Sequence, residues 1–143
     1  MVRPVPRMSI IWVAICGIAA LSCGETKRTS TPLFSVSPQS FVFPKLDMGQ
    51  SVVRYVDVTN RGTGLLRVTE ITLEDDSSAS EFSLFVSENG DLGPVPEALL
   101  LDAEETATLA MRYAPSDESE DGGQVRLRTN DIDTLDAVIP IRT

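Results

Sequence analysis

The sequence contains no histidine. That absence excludes Ser-His-Asp and Cys-His nucleophile systems. Cysteine is almost as scarce, with Cys16 and Cys23 the two present. Cys16 sits in an apolar N-terminal stretch; if that stretch is removed, Cys23 stands alone and no intramolecular disulfide can form. Tryptophan occurs once, as Trp12 in the same stretch. Aromatic residues make up 6% of the chain, so its core must be mainly aliphatic, with Phe and Tyr as the large rings. Positive charge is also in short supply: 12 Lys and Arg face 21 Asp and Glu, a formal net charge of -9. Arg3 and Arg7 both precede Cys23, so the chain from Cys23 onward carries 10 basic and 21 acidic side chains, a net charge of -11. Such a surface repels phosphate backbones and anionic headgroups, which disfavours nucleic acid as a partner and requires membrane attachment to be covalent. No apolar run is long enough to span a bilayer. Ser9 to Leu21 offers 13 residues, where a spanning helix needs about 20.

What is present at the N-terminus is a targeting segment. Met1 to Arg7 is a short basic head, and Ser9 to Leu21 has the length of a signal h-region. Pro4 and Pro6 stop a helix from extending towards the start. Ala20-Leu21-Ser22-Cys23-Gly24 follows. It resembles the lipobox of bacterial lipoproteins, although that family usually has Leu where Ala20 stands. The resemblance implies cleavage before Cys23, a diacylglycerol thioether on its sulfur and acylation of the new amine. Two or three chains anchor stably where one does not. An ordinary secretory signal cut nearby, or an uncleaved anchor, remain the alternatives. Gly24 in place of Asp points, by the enterobacterial sorting rule, to the outer rather than the inner membrane. Residues 24–32 hold no apolar side chain and read as a flexible tether. The expected organisation is therefore a signal peptide over 1–22, a tether over 23–32 and one domain over 33–143, in the periplasm or at the cell surface.

The domain reads as short strands. Phe34 to Val36 and Phe41 to Phe43, broken by Pro38 and Pro44, suit a first strand that switches sheets at an edge. Ser51 to Asn60 alternates, with Val56 and Val58 inward. Asn60 to Gly64 is a turn in which both glycines suit positive φ. Leu66 and Val68 share a face that Ile71 and Leu73 continue after a one-residue slip, the mark of a bulge. Phe82 and Leu84 form a short strand, Ser87 to Pro96 a loop, and Ala98 to Leu101 one helical turn. Glu105 to Tyr113 alternates most clearly, with Ala107, Leu109, Met111 and Tyr113 on one face. Val125 and Leu127 point inward between Arg126 and Arg128. Ala137, Ile139 and Ile141 share the last inner face. Roughly seven or eight such strands specify an all-β, immunoglobulin-like antiparallel β-sandwich.

One family has this order of pieces. The chain shows Phe43-Pro-Lys-Leu-Asp-Met-Gly49, Val56-Asp-Val-Thr-Asn60-Arg-Gly62, Phe82-Ser-Leu84, Leu109-Ala-Met-Arg-Tyr113-Ala-Pro115, Val125-Arg-Leu127-Arg-Thr129-Asn130-Asp131 and Val138-Ile-Pro-Ile141. This set, over residues 34–142, resembles the ASH/Hydin-type domains related to major sperm protein, known in bacteria as choice-of-anchor D modules. Phe43-Pro44 stands where the family often has Phe-Gly. The resemblance implies an immunoglobulin-like binding or scaffolding module and brings no catalytic residues.

Candidate sites are few. Cys23 is the lipidation candidate. Asp117, Glu118, Glu120 and Asp121, in an acidic loop ending in Gly122-Gly123, offer oxygen ligands of the kind calcium takes. A solvated loop explains the same residues, as it does Glu74 to Ser78. Asn60 and Asn130 are expected to cap their turns. The acid pairs Asp75-Asp76 and Glu104-Glu105 point to opposite faces of a strand and do not make an acid–base pair. No catalytic residue, cofactor site or small-molecule substrate is expected, and the covalent lipid is the one attached group. Three functions fit: an envelope interaction module with a protein partner, a structural envelope lipoprotein without a ligand, and a calcium-dependent adhesin.

Overall fold

The computed structural model describes residues 29–76 and 80–143. The expected signal, Cys23, the tether up to residue 28, and Ser77 and Ser78 of the Glu74 cluster lie outside the described residues. Ten strands are present: β1 (Phe34–Ser37), β2 (Phe41–Val42), β3 (Val52–Asn60), β4 (Leu66–Asp75), β5 (Phe82–Glu88), β6 (Asp91–Gly93), β7 (Ala98–Leu101), β8 (Thr106–Tyr113), β9 (Gly122–Thr129) and β10 (Asp136–Arg142). They form two sheets, ordered β1-β3-β8-β5-β6 and β2-β10-β9-β4-β7.

The period-2 pattern decides which side chains meet between the sheets. Val56, Val58, Leu109 and Met111 from the first sheet face Leu66, Val68, Val125, Leu127 and Ile139 from the second, each with at most 1% exposure. Ala110, on the opposite face of β8, is buried as well. It lies in register between Tyr55 and Phe85, whose rings flank the small side chain from both neighbouring strands. The outer face of the second sheet carries Arg126 and Arg128, which pair with Glu74, Glu70 and Asp136 at 3.3–3.6 Å. Such exposed pairs contribute little to stability.

The proline-broken start does switch sheets. β1 pairs antiparallel with β3, and β2 pairs parallel with β10 in the other sheet. The crossing passes the cis peptide Ser37–Pro38. The slip in β4 is a bulge: between Thr69 and Thr72 three steps on β4 match two on β9, and Glu70 takes φ 50°.

Three expectations are corrected. The loop over 87–96 contains a hairpin, because Glu88 pairs with Asp91 around Asn89-Gly90. Both central residues have positive φ, the condition for a two-residue turn matched to strand twist. Ala98 to Leu101 is strand rather than helix. Four apolar residues cannot tell the two apart alone, and here β4 supplies a partner strand. The glycines of the 60–64 turn are not at positive φ; Gly49 and Gly90 are. Gly62 and Gly64 are needed for space: a Cβ on Gly62 would lie 2.2 Å from the Thr31 carbonyl oxygen, and one on Gly64 would lie 2.9 Å from that of Ser30. The N-terminal segment packs directly on this turn. Ser30 Oγ donates to the Thr63 carbonyl, and the amides of Thr63 and Gly64 donate to the Thr31 carbonyl. Ordered contacts therefore begin before Leu33, inside the stretch that the sequence assigns to the tether.

Candidate functional site

The two ends of the sandwich are built differently, and each gathers polar groups. At the end where the chain enters, β3 finishes on Asn60, a fully buried amide. Its Oδ1 accepts from the amides of Leu33 and Gly62, and its Nδ2 donates to the carbonyls of Gly64, Leu101 and Asp102. One side chain thus joins the entering segment, its own turn and the end of β7. Asn130 does similar work across the sheet, accepting from the Arg67 amide at 2.8 Å and donating to the Leu65 carbonyl at 3.0 Å. Buried Asp131 accepts from the Phe34 amide at 2.8 Å and from that of Asp133 at 3.0 Å. The turn-capping role expected of both is present in Asn60, which bonds Gly62 and Gly64, whereas the Asn130 amide bonds Leu65 and Arg67 across the sheet rather than its own turn.

At the opposite end Phe41, Phe43, Phe82 and Tyr113 stack or tilt against one another with centroids 4.8–6.5 Å apart. Pairing of Phe82 with Tyr113 sets Glu81 beside Ala114, whose amide donates to the Glu81 carbonyl. The Tyr113 hydroxyl donates to Asp121 Oδ2 at 2.7 Å. Ser116 donates to Glu81 Oε1 through both its amide and its hydroxyl. Glu81, Asp117 and Asp121 bring one carboxylate oxygen each to within 4.8 Å of one another.

These contacts divide the carboxyls. The Ser116 hydroxyl, then the Asp121 carboxyl and the Ser116 amide, hold Glu81 below the ordinary carboxylate range. Burial, then the hydrogen bond to Glu81, pushes Asp121 up. A proton taken up by this pair therefore goes to Asp121 before Glu81. Burial, reinforced by Asp121, raises the Tyr113 phenol well above its usual value. The Ser119 hydroxyl and amide keep Asp117 low.

The structure brings together two of the four acidic-loop candidates, Asp117 and Asp121, and adds Glu81. Glu118 and Glu120 line the same end as walls of an open cleft of about 600 Å³, with Lys45, Met48 and Thr143, but place no oxygen in the cluster of three. Calcium takes six to eight oxygen ligands. Here the named oxygens of Glu81, Asp117 and Asp121 already accept from Ser116, Ser119 and Tyr113, so the donor set fits an internal hydrogen-bond network better than a cation. Glu81 carries no sequence signal. Only the register of β5 on β8 reveals that it faces residues 113–116.

A third feature is the edge strand β7. Leu99 and Leu101 are buried while Leu100 is 52% exposed. Beside it, Val86 to Asn89 and Glu105 to Thr108 of the other sheet line an open groove of about 410 Å³.

No protein-family model matches the chain, and no curated protein matches it. Solved structures do. WR4, a Caenorhabditis elegans MSP family member, aligns with TM-score 0.50 and 10% identity over 77% of this chain and 96% of that one. The secreted serine protease VesC from Vibrio cholerae aligns with TM-score 0.52 and 8% identity over 80% of this chain but 23% of its own. The ASH/PapD-like domain 7 of human CEP192 aligns at TM-score 0.48 and 16% identity, over 96% of this chain and 97% of the domain. At these identities the likeness is one of fold, and the fold is the MSP-type, immunoglobulin-like β-sandwich.

Proposed function

We propose that this chain is a lipid-anchored bacterial envelope protein whose domain is a non-enzymatic protein-interaction or scaffolding module. The anchor rests on the signal and lipobox pattern ending at Cys23. The module reading is carried by one observation: among the described residues, β7 closes its sheet with a free edge and an exposed Leu100 beside a groove. An unpaired edge offers backbone donors and acceptors to an added strand, and the groove offers room for its alternate side chains. The lack of histidine and the internal satisfaction of the acidic cluster both favour binding over chemistry.

Two measurements test this. Mass spectrometry of the native N-terminal peptide reads acylation of Cys23; an unmodified or uncleaved terminus overturns the anchor. A photo-crosslinking residue at Leu100 should give a discrete adduct in intact envelopes, and the same residue at Val138, exposed on the outer face of β10, should not. Equal yields, or none at either position, reject the edge as a binding site and leave a structural lipoprotein.

A further inference from the structure

We propose that the end of the sandwich where the chain enters rests on the bilayer, with Ile132 at its tip as a second, non-covalent membrane contact; this rests on the reading of Cys23 as lipidated. Four large apolar side chains are exposed at that end: Leu33 at 46%, Leu65 at 46%, Leu135 at 52% and Ile132 at 83%. They are held in place by the polar pins. The Leu33 carbonyl accepts from Arg61, the Leu65 carbonyl from Asn130, and the Leu135 carbonyl from the Thr129 amide. Ile132 itself occupies a turn closed by the Thr134 amide on the Asp131 carbonyl. Turns of this kind favour Gly, Asn, Asp and Ser. A β-branched apolar residue pointing into water there has no role in the fold, and clustered exposed apolar groups mark a surface that meets something.

The position of the chain entry says what it meets. Ser30 and Thr31 are bonded to the 60–64 turn, so the described chain begins at this same end. Cys23 lies six residues before Thr29, which allows at most about 20 Å between lipid and domain. The lipid surface is thus the nearest large apolar medium to these four side chains. Exposed Arg61 and Arg67 are outnumbered at this end by exposed Asp102, Glu104, Glu105, Asp133 and Asp136, so the contact is an apolar one with zwitterionic lipid rather than an electrostatic one with anionic lipid. A few apolar side chains would not hold a protein on a membrane unaided. With acyl chains holding it there, docking becomes an intramolecular step at high effective concentration, and weak contacts set orientation. The consequence is a fixed pose, with the end that holds Glu81 and Asp121 turned away from the bilayer.

The chain's one tryptophan lies in the expected signal, so the processed protein accepts a single indole reporter. Full lipoprotein carrying Ile132→Trp, and separately Met48→Trp at the opposite end, is placed in phosphatidylcholine vesicles with plain or brominated acyl chains and floated on a gradient. The expected result is flotation of both, with emission of the Ile132→Trp protein blue-shifted and cut by roughly half in brominated vesicles, and that of the Met48→Trp protein unchanged. Flotation without quenching at either site overturns the contact and keeps the anchor, leaving the patch for a protein or a second copy. Equal quenching at both sites overturns the fixed pose. Failure to float overturns the anchor and the contact together. Hydrogen exchange on the unsubstituted lipoprotein removes any influence of the introduced indole: amides of 132–135 should exchange more slowly on vesicles than in the acyl-free domain, and equal rates overturn the proposal.

Discussion

The two ends of this sandwich solve the same problem with different chemistry. Each must close off the space between two sheets and tie down irregular chain. The entry end relies on amides beside the carboxylate of Asp131: Asn60 and Asn130 make their bonds without titrating. The far end uses aromatic rings and acids: Tyr113 bonds Asp121, whose pKa burial and Glu81 raise. An amide offers donors and acceptors from one side chain, so it can bridge a donor segment and an acceptor segment at once. A carboxylate accepts only, and two neighbouring carboxylates disfavour each other's ionisation. The bonds of Asn60 and Asn130 should therefore be indifferent to pH, and those of the far end sensitive to it.

The largest expected effect is at Asn60. Asn60→Ala takes a partner from the amides of Leu33 and Gly62 and from the carbonyls of Gly64 and Leu101, while the Asp102 carbonyl keeps the Glu105 amide. With about 1–3 kcal/mol for each buried group left unsatisfied, and some relief from water, a loss of about 3–5 kcal/mol is expected. Denaturant unfolding at pH 5 and pH 8 measures it, and the loss should be equal at both. Next is Gly62→Ala. The added Cβ cannot share space with the Thr31 carbonyl, so residues 30–33 should detach at a cost of about 2 kcal/mol. Limited proteolysis before Phe34 should then cut the variant and spare the parent. A rigid entry end requires both results.

Much of this was readable in the sequence, for identifiable reasons. Strand alternation over Thr106 to Tyr113 and Gly122 to Thr129 depends on burial of one face, which is local in sequence. The sheet switch at Pro38 and the bulge near Glu70 left local marks too, a proline pair and a one-residue phase slip. What escaped was set by partners distant in the chain. Ala98 to Leu101 became strand because β4 offered an edge. Gly62 mattered for space because a segment thirty residues earlier lies against it. Glu81 joined the acidic cluster through register on β8, and no spacing along the chain announces that. Asn89-Gly90 is different: the two-residue turn signal was there, and the surrounding Ser, Glu and Asp residues masked it as loop.

At the far end the effects are smaller and depend on pH. Glu81 has a folded pKa below its ordinary value of 4.5. Its contribution is therefore present above that value and fades as pH falls through the lower folded one. Glu81→Gln should cost about 1.5–2 kcal/mol at neutral pH, the value of a hydrogen-bonded charged acceptor, and the gap to the parent should close in acid. Asp121 has the opposite sign. Its folded pKa is raised above 3.8, so its contribution is complete below that value and is lost as pH rises through the raised one. Asp121→Asn keeps an oxygen for the Tyr113 hydroxyl and supplies an N–H to Glu81 without needing a proton. It should raise the melting midpoint at neutral pH and match the parent in acid. Thermal melts of both variants across pH 3 to 8 should then show two differences of opposite sign converging at low pH. Differences that ignore pH would mean that the two pKa values are not displaced in opposite directions.

The smallest expected effect is that of calcium. An ion at the far end would have to displace the Ser116, Ser119 and Tyr113 donors from Glu81, Asp117 and Asp121. It would also have to hold Asp121 ionised where burial disfavours its charge, and the three carboxylates still fall short of the six to eight oxygens it prefers. A ligand stabilises a fold only by binding the native state more tightly than the unfolded one, and here the native oxygens are the ones already engaged. Thermal midpoints with calcium and with chelator should coincide at neutral pH. A rise with calcium that vanishes in Asp121→Asn would restore the adhesin reading, because it would show that the ion competes successfully for the oxygens that Ser116, Ser119 and Tyr113 now engage.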